Sequence, residues 1–399
     1  MSAPTEVLLL CWRDTGHPQG GGSERYLQRV GAQLADRGAH VTYLTAAYPG
    51  APREERLDGM RVLRTGGRLT VYLRVLALLI GARLGLGRLA GYRPDVVIDT
   101  QNGVPFFARL VAGAPTVVLV HHCHREQWPV AGPVLARVGW FVESRVSPRV
   151  HRRSRYLTVS TPSADELVEL GVDRERITVV HGGVDPVPDG GTTDSATADP
   201  ATADPTEADP VAADARPRLI VVSRLVPHKQ VEHALDTAAA LRARGVDVHV
   251  DVVGSGWWSP ELLARTADLN LTDRVQFHGH VDEIAKHRLL ARADLHLMPS
   301  RKEGWGLAVI EAAQHGVPTV GYRSSAGLAE SILDGRTGVL VDDGSTQLTA
   351  AVRALLDDPA EIARLGAAAR HRAEGYSWAA TADGVTTVLA AAVREHRAH

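Results

Sequence analysis

Val7-Leu8-Leu9-Leu10-Cys11, Gly20-Gly21-Gly22-Ser23-Glu24, a helical run to Arg37-Gly38, and Val41-Thr42-Tyr43-Leu44 follow one another near the start of the chain, and this order decides the fold. An unbroken apolar run of four or five residues suits a strand covered on both faces, as in a parallel sheet. Leu27, Val30 and Leu34 recur at helical spacing, with Ser23 placed as N-cap and Gly38 placed to end the helix. Strand, glycine-rich turn, helix and strand form one βαβ unit.

The same alternation extends outward. Apolar runs at 96–98, 117–120, 156–159 and 177–180 continue the first sheet. The pattern restarts at 219–222, passes through an alanine-rich helix at 231–244, and supplies strands at 248–253, 275–277, 295–298, 318–322 and 339–341. A chain of 399 residues exceeds what one core usually serves. The expected architecture is therefore α/β, with two Rossmann-like doubly wound parallel-sheet domains at 1–185 and 218–375. Between them, 186–217 is rich in Gly, Thr, Ala, Asp and Pro, and Ala-Asp-Pro recurs at 198, 203 and 208, which predicts a disordered linker. The closing stretch, 376–399, carries Val385, Val388 and Leu389 on one helical face; it either completes the second domain or crosses back to the first.

Composition excludes several classes. Lys+Arg number 44 against 46 Asp+Glu, so the chain lacks the cationic excess of a nucleic-acid binder. The two cysteines, Cys11 and Cys123, belong to no metal-spaced cluster and fit a reducing compartment. The opening residues show no basic leader or cleavage site, so a cytoplasmic location is expected. Residues 71–89 are apolar but interrupted by Arg74, Arg83 and Arg88, too often for a membrane span. A helix packed on the sheet is preferred there over an amphipathic helix lying on a surface. Trp128, Trp140 and Phe141 accompany Arg145, Arg149, Arg152, Arg153 and Arg155. That group could meet an anionic lipid surface or a phosphorylated acceptor, giving peripheral membrane contact; a solvated helix face with a buried aromatic side is the plainer expectation.

The chemistry is expected after the strands, where doubly wound sheets bind ligands. Gly20, Gly21 and Gly22 follow the first strand and open a helix. In the second domain, Arg224 and Lys229 follow its first strand; a guanidinium can grip a phosphate bidentately and an ammonium adds a point charge. The most informative run is Ser300-Arg301-Lys302-Glu303-Gly304-Trp305-Gly306-Leu307-Ala308-Val309-Ile310-Glu311-Ala312. Were helix to span both glutamates, they would stand ~12 Å apart along the axis. That exceeds the ~5 to 9.5 Å of a hydrolytic carboxylate pair, so the two are expected to hold different parts of one ligand.

The Glu303-to-Glu311 spacing is similar to the Glu-x7-Glu signature of retaining glycosyltransferases of family 4, which have the GT-B fold, two domains facing a central cleft. The Gly20–Glu24 loop, Arg224 and Lys229, Gly254-Ser255-Gly256 and Gly316-Val317-Pro318 fall in the family's order. The resemblance covers nearly the whole chain. It implies that Arg224 and Lys229 bind the donor diphosphate, Glu311 the ribose, and Glu303 the transferred sugar. It further implies that Gly304, Trp305, Gly306 and Leu307 present backbone N–H groups to sugar and phosphate. By the same resemblance Gly254, His280 and Val281 line the donor site, Gly21 and Gly22 approach the phosphate, and His121 faces the sugar, with His122 as alternative.

Under this resemblance the co-substrate is a UDP- or GDP-sugar and no other cofactor is expected. No Asp-x-Asp triplet occurs, so a metal-independent, front-side transfer of a hexose is expected, and no metal site is assigned to the His121-His122-Cys123-His124 cluster. The acceptor stays open among polysaccharide, lipid-linked intermediate and small molecule. A non-catalytic nucleotide-sugar-binding module, or an epimerase or phosphorylase of the same fold, is the alternative.

Overall fold

The computed structural model describes residues 5–18, 20–125, 127–128, 132–190 and 216–398. Most of the expected linker, 191–215, lies outside these residues. The chain divides into two compact units, Met1–Gly183 with Tyr376–His399, and Val184–Gly375.

The first unit is built on β1 (Glu6–Leu10), β2 (His40–Thr45), β3 (Glu54–Leu57), β4 (Met60–Arg64), β5 (Val96–Thr100), β6 (Thr116–Val120), β7 (Arg155–Thr158) and β8 (Ile177–Val179). They lie in the order β3-β4-β2-β1-β5-β6-β7-β8, and every pair is parallel except β3 with β4. β5 and β6 are buried at every position, which is why their sequences are unbroken apolar runs apart from Asp99 and the threonines. Asp99 sits fully buried because its carboxylate accepts from the backbone N–H of Phe106 (2.8 Å) and Ala108 (3.0 Å), folding the chain after β5. The helices are α1 (Gly22–Asp36), α2 (Val71–Arg83), α3 (Pro133–Phe141), α4 (Ser147–Val150) and α5 (Thr161–Glu169), with a π-turn at Val142–Val146 joining α3 to α4.

The β3–β4 hairpin departs from the expected pattern. Glu54-Glu55-Arg56-Leu57 lacks an apolar run and is half exposed. Its signal is the turn, since Asp58 (φ 49°) and Gly59 (φ 77°) both take the left-handed conformation that a tight hairpin needs.

The second unit holds β9 (Arg218–Val222), β10 (His249–Val253), β11 (Val275–Gly279), β12 (Leu295–Met298), β13 (Thr319–Tyr322) and β14 (Gly338–Val341) in the parallel order β11-β10-β9-β12-β13-β14. Around them lie α6 (Val231–Arg242), α7 (Ser259–Asp268), α8 (Glu283–Ala291), α9 (Leu307–Gln314), α10 (Ala326–Ser331), α11 (Ser345–Leu356) and α12 (Pro359–Ala373). In both units the strand order reverses beside the first strand, so the loops after β1 and β9 open at the edge where such sheets bind ligands.

The final helix, α13 (Trp378–Arg397), packs in the first unit, so the stretch after 375 crosses back. It buries Trp378, Ala382, Val385, Val388 and Leu389 against the sheet. Close approach is achieved at Gly183, where an added Cβ would stand 2.3 Å from the Ser377 carbonyl carbon. The Thr381 hydroxyl donates to His181 O (2.9 Å), and Arg155 of β7 pairs with Glu395.

Burying an aliphatic or aromatic side chain is worth about 1.5–3 kcal/mol, so the helix supplies a large part of a unit whose net stability is about 5–15 kcal/mol. A chain ending at Gly375 is therefore expected to leave the first unit unfolded. Circular dichroism and limited proteolysis check this: the second unit should survive digestion while residues 1–183 are degraded.

Candidate active site

In the second unit, four loops converge at the carboxyl edge of the sheet. After β9 the chain makes a single 3-10 turn, Pro227–Lys229, before α6. After β10 it passes through Gly254 (φ 125°), where a Cβ would stand 1.9 Å from Ser223 O, so glycine is required for these two loops to touch. Leu225 N donates to Ser255 O and Trp258 N to Leu225 O, at 3.0 and 3.1 Å. After β12, Arg301 N donates to His228 O (3.0 Å), tying the glutamate-bearing loop to the lysine-bearing one.

Glu303 lies in that loop rather than in a helix; α9 begins at Leu307, and Gly306 before it is left-handed (φ 80°). The Glu303 carboxylate accepts from Lys229 Nζ, and both side chains are about nine-tenths buried, at 11% and 12% exposure. Burial alone would raise the Glu303 carboxyl, but the Lys229 ammonium outweighs it and holds the group below the usual carboxylate range. Gly304, Trp305 and Gly306 are buried, and α10 presses on this loop through Gly327, where a Cβ would stand 2.3 Å from Glu303 O. A helix start leaves its first backbone N–H groups without partners inside the helix, so the segment ending at Gly306 and Leu307 offers donors to an anion.

Glu311, one turn into α9 and 8% exposed, accepts from Lys286 Nζ at 2.8 Å. Lys286 also donates to Glu283 Oε2 at 3.0 Å, so one ammonium on α8 bridges two carboxylates. Asp282 is the N-cap of α8, its side chain accepting from Ala285 N at 2.7 Å. Val281 packs beside the cluster of Ile220, Val253, Leu290, Ala312 and Val317. His280 is exposed, and Arg224 is half-buried in the loop after β9. The structure thus brings Arg224, Lys229, Gly254, Val281, Glu303, Gly304, Trp305, Gly306, Leu307 and Glu311 to one sheet edge. Sequence reasoning missed Lys286; its signal was a lysine one helical turn after an acidic helix start.

The first unit holds the other candidates. The N-cap of α1 is Gly21, not Ser23, because Glu24 reaches back so that its Oε2 accepts from Gly21 N at 2.8 Å. Glu24 is fully buried, and its Oε1 accepts from Arg13 Nε and Nη2 at 3.0 and 2.8 Å. Gly21 and Gly22 are therefore fixed by a buried ion pair that the sequence pattern did not reveal. His121 follows β6 and is 7% exposed, its ring edge-on to Tyr26 (5.3 Å) and its Nε2 without a hydrogen-bond partner. Burial pushes its pKa down to about 4, so the ring is neutral at neutral pH. His122 turns elsewhere: it meets Gln127 Nε2 (2.9 Å), and its ring lies 4.6 Å from that of His124. Cys11 and Cys123 are buried free thiols. Of the aromatic side expected to be buried in this stretch, Trp128 and Trp140 are half-buried, whereas Phe141 is 58% exposed.

Comparison with known proteins agrees with this geometry. Residues 20–187 match the model of Glycosyltransferase Family 4, and residues 204–372 match that of Glycosyl transferases group 1. The GDP-mannose-dependent alpha-(1-6)-phosphatidylinositol monomannoside mannosyltransferase of Mycolicibacterium smegmatis is 29% identical over 384 residues, 90% of this chain and 92% of that one. The MMP alpha-(1->4)-mannosyltransferase of Mycolicibacterium hassiacum is 32% identical over 329 residues, 78% of this chain and 74% of that one. Among solved structures, Anabaena HepE in complex with UDP and glucose superposes with a TM-score of 0.72, at 19% identity, over 97% of this chain and 100% of that one. Two parallel-sheet units of this kind define the GT-B class of glycosyltransferases. The chain belongs to family 4 of that class and is a glycosyltransferase.

Breaking a buried ion pair by removing one partner costs about 3–5 kcal/mol, because the other charge stays buried. Lys229→Met is expected to lose about that much stability at pH 7, and adding Glu303→Gln should restore most of it. Urea denaturation of the two variants checks the coupling; equal instability of the single and double variants would show that the pair is not coupled.

Proposed function

We propose that this glycosyltransferase moves a mannosyl residue from GDP-mannose to a hydroxyl of its acceptor, with retention of configuration and without a metal ion. The observation that carries the choice of base is the arrangement at the start of α8. Asp282 is committed to its N-cap hydrogen bond, whereas Glu283 is exposed and held toward the site by Lys286, the residue that also grips Glu311. A guanine edge offers adjacent N1–H and N2–H donors that a single carboxylate accepts together; uracil offers one N–H between two carbonyls. The two mannosyltransferases above, one of them GDP-mannose-dependent by name, support the same donor.

In this reading Glu311 takes the ribose hydroxyls, and the diphosphate draws Lys229 away from Glu303. Arg224 and Lys229 then offset the charge that grows on the leaving phosphate, while backbone N–H groups at 304–307 hold its oxygens. Glu303, ionised beside its lysine before the donor binds, then accepts from hydroxyls of the sugar. The departing phosphate takes the acceptor's proton as the new bond forms on the same face. His121 is neutral and buried, with one ring nitrogen unpaired, so it offers a hydrogen bond rather than a charge to the sugar; its contact with Tyr26, on the helix that Gly21 caps, favours it over His122.

Turnover of the purified chain with a panel of GDP- and UDP-sugars in EDTA, read as release of nucleoside diphosphate, tests the proposal. GDP release from GDP-mannose is expected. Glu283→Gln should raise KM for GDP-mannose roughly 10- to 100-fold, the ~1.5–3 kcal/mol of a hydrogen bond to a charged group, with kcat nearly unchanged. Equal use of UDP-glucose, or loss of activity in EDTA, would contradict it.

A further inference from the structure

Two helices of the first unit turn apolar residues outward. α2 buries Val71, Val75, Leu79 and Ala82 against the sheet, yet Leu69 just before it and Leu84 just after it are 71 and 68% exposed, and along its outer side Leu73 and Ile80 are 72 and 45% exposed. Their spacing places them on one stripe of a helix. α3 buries only Gly139, and its Val134, Val138 and Phe141 are exposed by 74, 56 and 58%. The crossovers from β4 to β5 and from β6 to β7 run in the same direction along the sheet, so right-handed connections set both helices on one face. The segment between them is joined to each side: Arg83 donates to Val111 O (3.4 Å), and the Phe107 ring stacks on that of His151 (5.9 Å). Leu110 in this segment is 66% exposed.

The charge around these stripes has one sign. Arg137, Arg145, Arg149, Arg152 and Arg153 are all exposed, and none forms an ion pair with a carboxylate among the described residues. Across 133–153 the sole acidic residue is Glu143, which is fully buried and accepts from Trp128 Nε1 (2.6 Å) and His124 N (3.0 Å). Between Asp58 and Asp95 the sequence has no acidic residue at all, and Arg74 is exposed beside the α2 stripe. Such one-sided charge in a chain of net charge −2 is a local feature.

We propose that this face docks on an anionic lipid bilayer, its leucines and Phe141 entering the acyl boundary and its arginines meeting the headgroups. α2 has 13 residues, ~20 Å of helix, and no helix among the described residues is long and apolar enough to cross a membrane, so the helices lie in the interface. Exposed apolar side chains ringed by cations without carboxylates match that surface. The inference stands whichever sugar nucleotide is the donor.

Co-sedimentation of the whole chain with vesicles of phosphatidylcholine, with and without 30% phosphatidylglycerol, tests it. Sedimentation with the anionic vesicles and not with the neutral ones is expected. Removing an arginine near the surface costs roughly fivefold in partition, so Arg145→Gln with Arg149→Gln should weaken binding about 25-fold, and Leu73→Glu with Phe141→Glu should abolish it. These positions are exposed, so circular dichroism should be unchanged; if the glutamate variant fails to fold, the arginine variant carries the test. Absence of binding to anionic vesicles, or equal binding by the variants, overturns the proposal. So does a dimer in gel filtration that Phe141→Glu dissolves, which would assign the face to a second copy of the chain.

Discussion

Two buried ammonium groups, Lys229 and Lys286, each face a carboxylate at the carboxyl edge of the second sheet, and the surrounding loops are arranged around that balance. Burial opposes the charge on Glu303, and its lysine holds that carboxyl below the usual carboxylate range. The pairing also fixes positions. Lys229 joins the turn after β9 to the loop after β12, and Lys286 joins α8 to α9. A ligand with its own negative charge can take over Lys229, which is what a nucleoside diphosphate brings.

The sheet makes this balance possible. Parallel strands covered on both faces leave their loops at the two ends, and glycine lets those loops touch. Gly254 sits where any side chain would collide with Ser223, and Gly327 where one would collide with Glu303. In the first unit, the Arg13–Glu24 pair plays the corresponding part, holding Gly21 at the start of α1. Each unit thus sets a glycine-bearing loop with a buried ion pair behind it.

Much of this was legible in the sequence because it depends on local pattern. The apolar runs at 7–10 and 295–298 appear as strands β1 and β12, and Gly20–Gly22 opens a helix as expected. The Glu303 and Glu311 spacing pointed to the family, and relatives with the same activity class bear that out. What was hidden depends on contacts across the chain. Glu24 displaces Ser23 as the organiser of its helix start because Arg13 lies near it in space. Lys286 stands twenty-five residues from Glu311, and its place one turn after the acidic start of α8 does not by itself point to that partner. β3 was missed because its charged residues carry no period, although the Asp58-Gly59 turn was present. The outward leucines of α2 could not be told from inward ones until the helix was set on its sheet.

The central claim is that Lys229, and the two carboxylates that Lys286 holds, receive the donor's nucleotide. Calorimetric titration of the folded chain with GDP addresses it most directly, comparing the wild type with Lys229→Met and Lys286→Met after circular dichroism has verified each fold. The account predicts that GDP binds the wild type and that either substitution weakens binding at least tenfold. GDP affinity unchanged in both variants would contradict it.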